Sequence, residues 1–133
     1  MQVEALDHIN IITGDLDGTA DFYASLLGLE RRDAPPPLTP QTAAWMYDGE
    51  GRAIIHINSL DCPRAYDREI TPGALTGALH HVALRLSGYD EMKARLDALG
   101  ADYQENLVEA IGLRQIFTAD PNNVLLELNF FGE

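Results

Sequence analysis

LDHINI, residues 6–11, returns with little change as LHHVAL, residues 79–84. Each places a histidine inside a short run of alternating apolar and polar residues, the pattern of a half-buried strand. His81 follows His8 by 73 positions. Two further landmarks keep nearly the same offset. Gly28 and Gly100, 72 apart, each stand at the end of an amphipathic helical stretch. IIHINSL, 54–60, is matched 71 positions later by LLELNFF, 125–131, which sets His56 against Glu127 and Asn58 against Asn129. A near-constant offset across three landmarks is an internal repeat.

Each half has the same order of elements. In the first, VEALDHINIIT (3–13) reads as a strand, and Asp15 and Asp17 offer side-chain oxygens to start a helix. Ala20, Tyr23, Leu26 and Leu27 follow at helical spacing, and Gly28 supplies a left-handed stop. The prolines of RRDAPPPLTP (31–40) exclude a central strand there. TAAWMYD (42–48) and RAIIHINSL (52–60) then form a hairpin through the turn DGEG. In the second half, GALHHVALRL (77–86) is a strand and YDEMKARLDALG (89–100) a helix with Tyr89, Met92, Leu96 and Leu99 on one face. ADYQE, LRQIFTA and VLLELNFF follow as strands, with DPNN turning between the last two. The expected organisation is one domain over 1–133: a first module over 1–60, a linker loop over 61–77 and a second module over 78–133.

Composition narrows the partners. An apolar fraction of 46% and a charged fraction of 23% suit an ordinary globular chain. No run reaches the roughly 18 apolar residues of a membrane helix, and the N-terminus lacks the pattern of a signal peptide. A cytoplasmic location is expected. Twenty-one acidic against nine basic residues give a net charge of −12, which repels nucleic acid phosphates and anionic lipid. Neither nucleic acid nor membrane is an expected partner. Cys62, the single cysteine, excludes an internal disulfide and a thiolate metal cluster, and most lone cysteines are packing residues.

The repeat changes the meaning of four polar residues set in apolar strands. Side chains two apart on a strand share a face. If two similar modules pack about a pseudo-twofold axis, equivalent positions converge in pairs. His8, His56, His81 and Glu127 then form one cluster of three imidazoles and a carboxylate, a donor set for a divalent cation. For any one of them taken alone, a satisfied core residue is the simpler reading. His80 precedes His81, falls on the opposite face and matches Asp7, so it is read as non-ligating.

These residues resemble the vicinal oxygen chelate superfamily, which holds glyoxalase I, bleomycin-resistance proteins, fosfomycin-resistance enzymes, extradiol dioxygenases and methylmalonyl-CoA epimerase. LDHINIITGDLDGTADFYASLLGLE looks like the opening strand and helix of that family. FTADPNNVLLELN looks like its closing hairpin, where a turn precedes a ligand glutamate. The resemblance spans the chain apart from 33–42 and 61–77. It implies an α+β fold of two βαβββ modules forming a cupped mixed sheet around a metal site. It places His8 and His81 on the first-strand ligands and Glu127 on the final-strand carboxylate. His56 falls where glyoxalases carry Glu and epimerases Gln, a departure that bears on the reaction. Asn123 replaces the usual turn glycine, a minor change because Asn tolerates positive φ.

What the resemblance implies is one divalent ion (Zn, Ni, Co, Mn or Fe(II)) and a small substrate that chelates it through adjacent oxygens. The expected activity is a lyase or isomerase of glyoxalase or epimerase type, stabilising an enolate-like intermediate during proton transfer, with Glu127 or His56 moving the proton. A ring-cleaving Fe(II) dioxygenase is the nearest rival. It is disfavoured because Phe117 stands where those enzymes carry Tyr, and NLVEAIG lacks their histidine. Fosfomycin-type thiol transfer is weaker, since Lys93, the only lysine, lies on the outer face of a helix. A non-catalytic bleomycin-resistance-like binder is the third reading, suited by the acidic balance and by Trp45, Met46 and Tyr47, which otherwise read as hairpin packing. Arg64, Tyr66 and Arg68 in the 61–77 loop, and Arg114 before a strand, are candidate substrate contacts. A homodimer is expected by resemblance, with modules paired within or between chains.

Overall fold

The computed structural model describes residues 1, 4–63, 79 and 81–133. The chain divides into two compact units, Met1–Ile70 and Thr71–Glu133. Each is a four-stranded mixed sheet with one α-helix, in the order βαβββ, so the fold is α+β.

The first unit runs β1 (Ile9–Thr13), α1 (Leu16–Leu27), β2 (Glu30–Arg32), β3 (Ala43–Tyr47) and β4 (Ala53–Ser59). Its sheet order is β1-β4-β3-β2, with β1 parallel to β4 and the other pairs antiparallel. α1 begins where the Asp15 carboxylate accepts the Gly18 backbone N–H, at 2.9 Å. It ends at Gly28, whose φ of 68° is left-handed and whose N–H donates to Ala24 O. Ala20, Tyr23 and Leu26 on α1 are fully buried, as are Met46 and Ile57 of β3 and β4.

The second unit runs β5 (Val82–Leu86), α2 (Tyr89–Leu99), β6 (Tyr103–Val108), β7 (Leu113–Ala119) and β8 (Leu125–Phe131), with one 3₁₀ turn over Glu109–Ile111. The sheet order β5-β8-β7-β6 repeats that of the first unit strand for strand. Gly100 closes α2 in the left-handed region at φ 64°. The Tyr89 ring meets Phe130 of β8 edge-on at 5.3 Å. Leu96, Ile116, Leu126, Leu128 and Phe130 are fully buried.

Several details differ from the sequence reading. Leu99 is 40% exposed, so the buried stripe of α2 ends one turn earlier, at Leu96. β2 lies outside both stretches read as the hairpin. It is a three-residue edge strand, exposed throughout, and its charged sequence ERR carries no apolar alternation. β6 continues past ADYQE to Val108. The DPNN turn behaves as expected: Asn123 holds φ at 63°, and the Asp120 carboxylate accepts the N–H groups of Asn122 and Val124. The linker positions 64–77 lie outside the described residues.

Candidate metal centre

In the first unit β4 lies between β1 and β3, and the ladder sets Asn10 and Trp45 on either side of His56. Alternation sends Ile11, Ile55, Ile57 and Met46 to the buried face. His56 and Trp45 belong to the opposite face. His8 stands immediately before β1, whose ladder starts at Ile9, and not mid-strand as read from the sequence. Its side chain still reaches the same face. The His8 ring stacks on His56 with centroids 3.8 Å apart and planes 17° from parallel. Trp45 stacks on His56 at 3.9 Å and 4°. Two near-parallel partners at those separations must cover opposite faces of the imidazole, so His56 is held in a sandwich.

The two histidines differ in their surroundings. His8 Nδ1 donates to the Asp7 carboxylate, so Nε2 is the ring nitrogen not engaged by Asp7. Burial pushes the His56 imidazole below its ordinary pKa, and the neighbouring His8 adds to that. Asp7 and a backbone hydrogen bond at Ala53 oppose it. The neutral ring, favoured by this environment, is the form that ligates a cation or accepts a proton. Beside it, Asn58 accepts from Asn10 at 3.3 Å and donates to Cys62 Sγ at 3.2 Å. Cys62 is buried with Ala34 and Ala43, against Leu38 and Trp45. Cys62 therefore packs behind the stack.

The second unit pairs a histidine with a carboxylate. His81, like His8, immediately precedes its strand. His81 Nε2 lies 3.2 Å from Glu127 Oε2. Glu127 sits mid-strand in β8, opposite Ala83 of β5 and Phe117 of β7. Its other oxygen is held by amides. Oε1 accepts from Gln115 Nε2 at 2.8 Å and from Asn129 Nδ2 at 2.9 Å. The second Gln115 hydrogen goes to Asn129 Oδ1 at 3.0 Å, and Gln115 Oε1 accepts from Asn106 Nδ2 at 2.7 Å. Every buried side-chain polar atom among the described residues is satisfied.

Arg114 is placed differently from its expected position. It lies inside β7, one residue from Gln115 and so on the opposite face, with its guanidinium 3.5 Å above the Tyr89 ring of α2. Tyr89 in turn donates to Glu105, which pairs with Lys93. This group belongs to the helix side of the sheet, away from Glu127. Arg64, Tyr66, Arg68 and His80 lie outside the described residues. Arg85 was passed over in the sequence. It stands opposite Asn129, at the strand parity of Glu127, with its guanidinium 4.5 Å over the Phe131 ring.

Trp45, Gln115, Asn129 and Asn106 were also not assigned to the site from sequence. Asn129 carried a signal, since the repeat matches it to Asn58. Gln115 lies between Arg114 and Ile116 and reads as an ordinary strand residue until its partner across the ladder is known. Within each unit, among the described residues, no three His, Cys, Asp or Glu side chains lie together as a metal set. Each unit instead brings two candidate donors together, His8 with His56 and His81 with Glu127. Imidazole nitrogens and a carboxylate oxygen are donors suited to a divalent first-row cation, so the residues fit such an ion in kind.

Comparison with known proteins agrees with the fold. The family model described as the glyoxalase/bleomycin resistance protein/dioxygenase superfamily matches residues 5–128. A protein named glyoxylase I 4 from Arabidopsis thaliana is 24% identical over 130 residues, covering 96% of this chain and 71% of that protein. A putative glyoxalase family protein from Bacillus anthracis superposes with a TM-score of 0.72 at 19% identity, covering 98% of each chain. The fosfomycin resistance protein FosX from Listeria monocytogenes, solved with Mn(II) and sulfate, gives 0.70 at 20% identity, over 98% of this chain and 92% of that one. Among the described residues no helix is long and apolar enough to cross a membrane.

Proposed function

The chain belongs to the glyoxalase/bleomycin resistance protein/dioxygenase superfamily, and on that premise we propose a divalent-metal-dependent enzyme of glyoxalase or epimerase type. His8 and His56 of one module and His81 and Glu127 of the other hold the ion. The modules come together within one chain or between two copies in a homodimer. The observation that carries this reading is that each unit brings its two candidate ligands side by side, His8 against His56 and His81 against Glu127.

When bound, the cation supplies positive charge against which two adjacent substrate oxygens develop negative charge. The chain's own groups do the rest. His56 or Glu127, whichever is released from the ion, accepts the proton from a carbon next to a carbonyl. The Trp45 stack fixes the plane of His56 and keeps one side of it dry. Arg85 is a cation at the strand parity of Glu127 that suits an anionic end of the substrate. Ring-cleaving oxygenation is the less supported alternative, because the residue opposite Glu127 is Phe117, an apolar group with no proton to give.

Elemental analysis of the purified full chain tests the proposal. Stoichiometric divalent metal is expected, together with no oxygen uptake when iron-loaded protein meets catechols. Metal-free protein that cannot be loaded supports a binding protein, and rapid uptake supports the dioxygenase.

A further inference from the structure

We infer that Gln115 is a positioning residue that confines Glu127 to ligation through Oε2 alone, and this rests on the metal-dependent reading above. Asn106 donates to Gln115 Oε1, which fixes the Gln115 carboxamide with its NH₂ toward Glu127. A flipped amide would set oxygen against carboxylate oxygen and lose both bonds. The two hydrogens of that NH₂ go to Glu127 Oε1 and Asn129 Oδ1. Asn129 returns a bond of its own to Glu127 Oε1.

Oε1 therefore receives two N–H donors, while Oε2 faces His81. A carboxylate chelating through both oxygens would have to turn Oε1 away from those donors. Gln115 is buried, so an amide abandoned in this way would not be resolvated. The three amides come from β6, β7 and β8, neighbours in one sheet, which makes the clamp rigid. The first module has no counterpart: the repeat of Gln115, opposite Asn58 as Gln115 is opposite Asn129, is Ala43. The clamp thus belongs to the carboxylate. It leaves one more coordination position for water or substrate than a chelating glutamate would.

Mn(II) titration of the full chain, read by water-proton relaxation, tests this. Q115L and the similarly sized Q115M each remove both Gln115 donors, the one to Glu127 and the one to Asn129. Both are expected to bind Mn(II) with a relaxation enhancement per bound ion lowered by the share of about one water, as the second oxygen takes its place. Thermal denaturation of each variant shows whether it is folded, and Q115M decides if Q115L is not. Unchanged or increased enhancement in a folded variant that binds Mn(II) overturns the clamp and leaves the metal site standing. Failure of the wild type to bind Mn(II) overturns the metal-dependent reading and the clamp with it.

Discussion

His56 lies between two rings, and that position makes its protonation a matter of stability. Burial holds its folded-state pKa below the ordinary imidazole value of about 6.5. The unfolded chain then binds a proton more readily than the folded one, so stability rises with pH across that interval. The contribution is complete above about pH 6.5 and is lost as pH falls toward the folded value. Urea midpoints of metal-free protein are expected to drop in this window, and those of His56→Phe to stay level through it. Asp48 and Glu105, whose carboxyls are held low chiefly by hydrogen bonds with Arg52 and Lys93, act at more acid pH and do not obscure the effect. His56 was legible as an anomaly in its strand. Its sandwich was not, because ring stacking depends on which residues the ladder places beside it, and Trp45 is eleven positions away in the chain.

At the scale of elements, both helices are written in the sequence by their ends. An aspartate and a glycine bracket α1, and a glycine closes α2. The apolar face of α2 was read one turn too long, since Leu99 at the last turn is exposed. Leu96→Ala is expected to cost about 2–5 kcal/mol, because it empties a fully buried site. Leu99→Ala is expected to stay within about 0.5 kcal/mol, as a surface change does. Chemical denaturation of the two variants distinguishes them, and equal losses would return Leu99 to the core. Asp15→Ala should cost about 1 kcal/mol by removing the cap on Gly18, measured in the same way. Strand starts were less legible. His8 and His81 both fall one residue outside their ladders, for the same reason in each module: pairing with the parallel neighbour begins at the following aliphatic residue. β2 escaped notice because an exposed edge strand needs no apolar side chains.

For the whole molecule, the repeat was the informative feature. Offsets of 71 to 73 residues between matched positions correspond to two sheets with the same strand order. What the sequence could not supply is the support around Glu127, since Asn106, Gln115 and Asn129 are unremarkable polar residues until three strands align them. It also misplaced Arg114, whose parity in β7 directs it to Tyr89. Under the proposed function, His8 with His56 and His81 with Glu127 hold one cation together. Equilibrium dialysis of the full chain against Mn(II), comparing wild type with His8→Ala and His81→Ala, tests this most directly. One ion per chain in the wild type, with affinity lost when either module gives up its histidine, is the predicted result; full-affinity binding in either variant would contradict a shared ion.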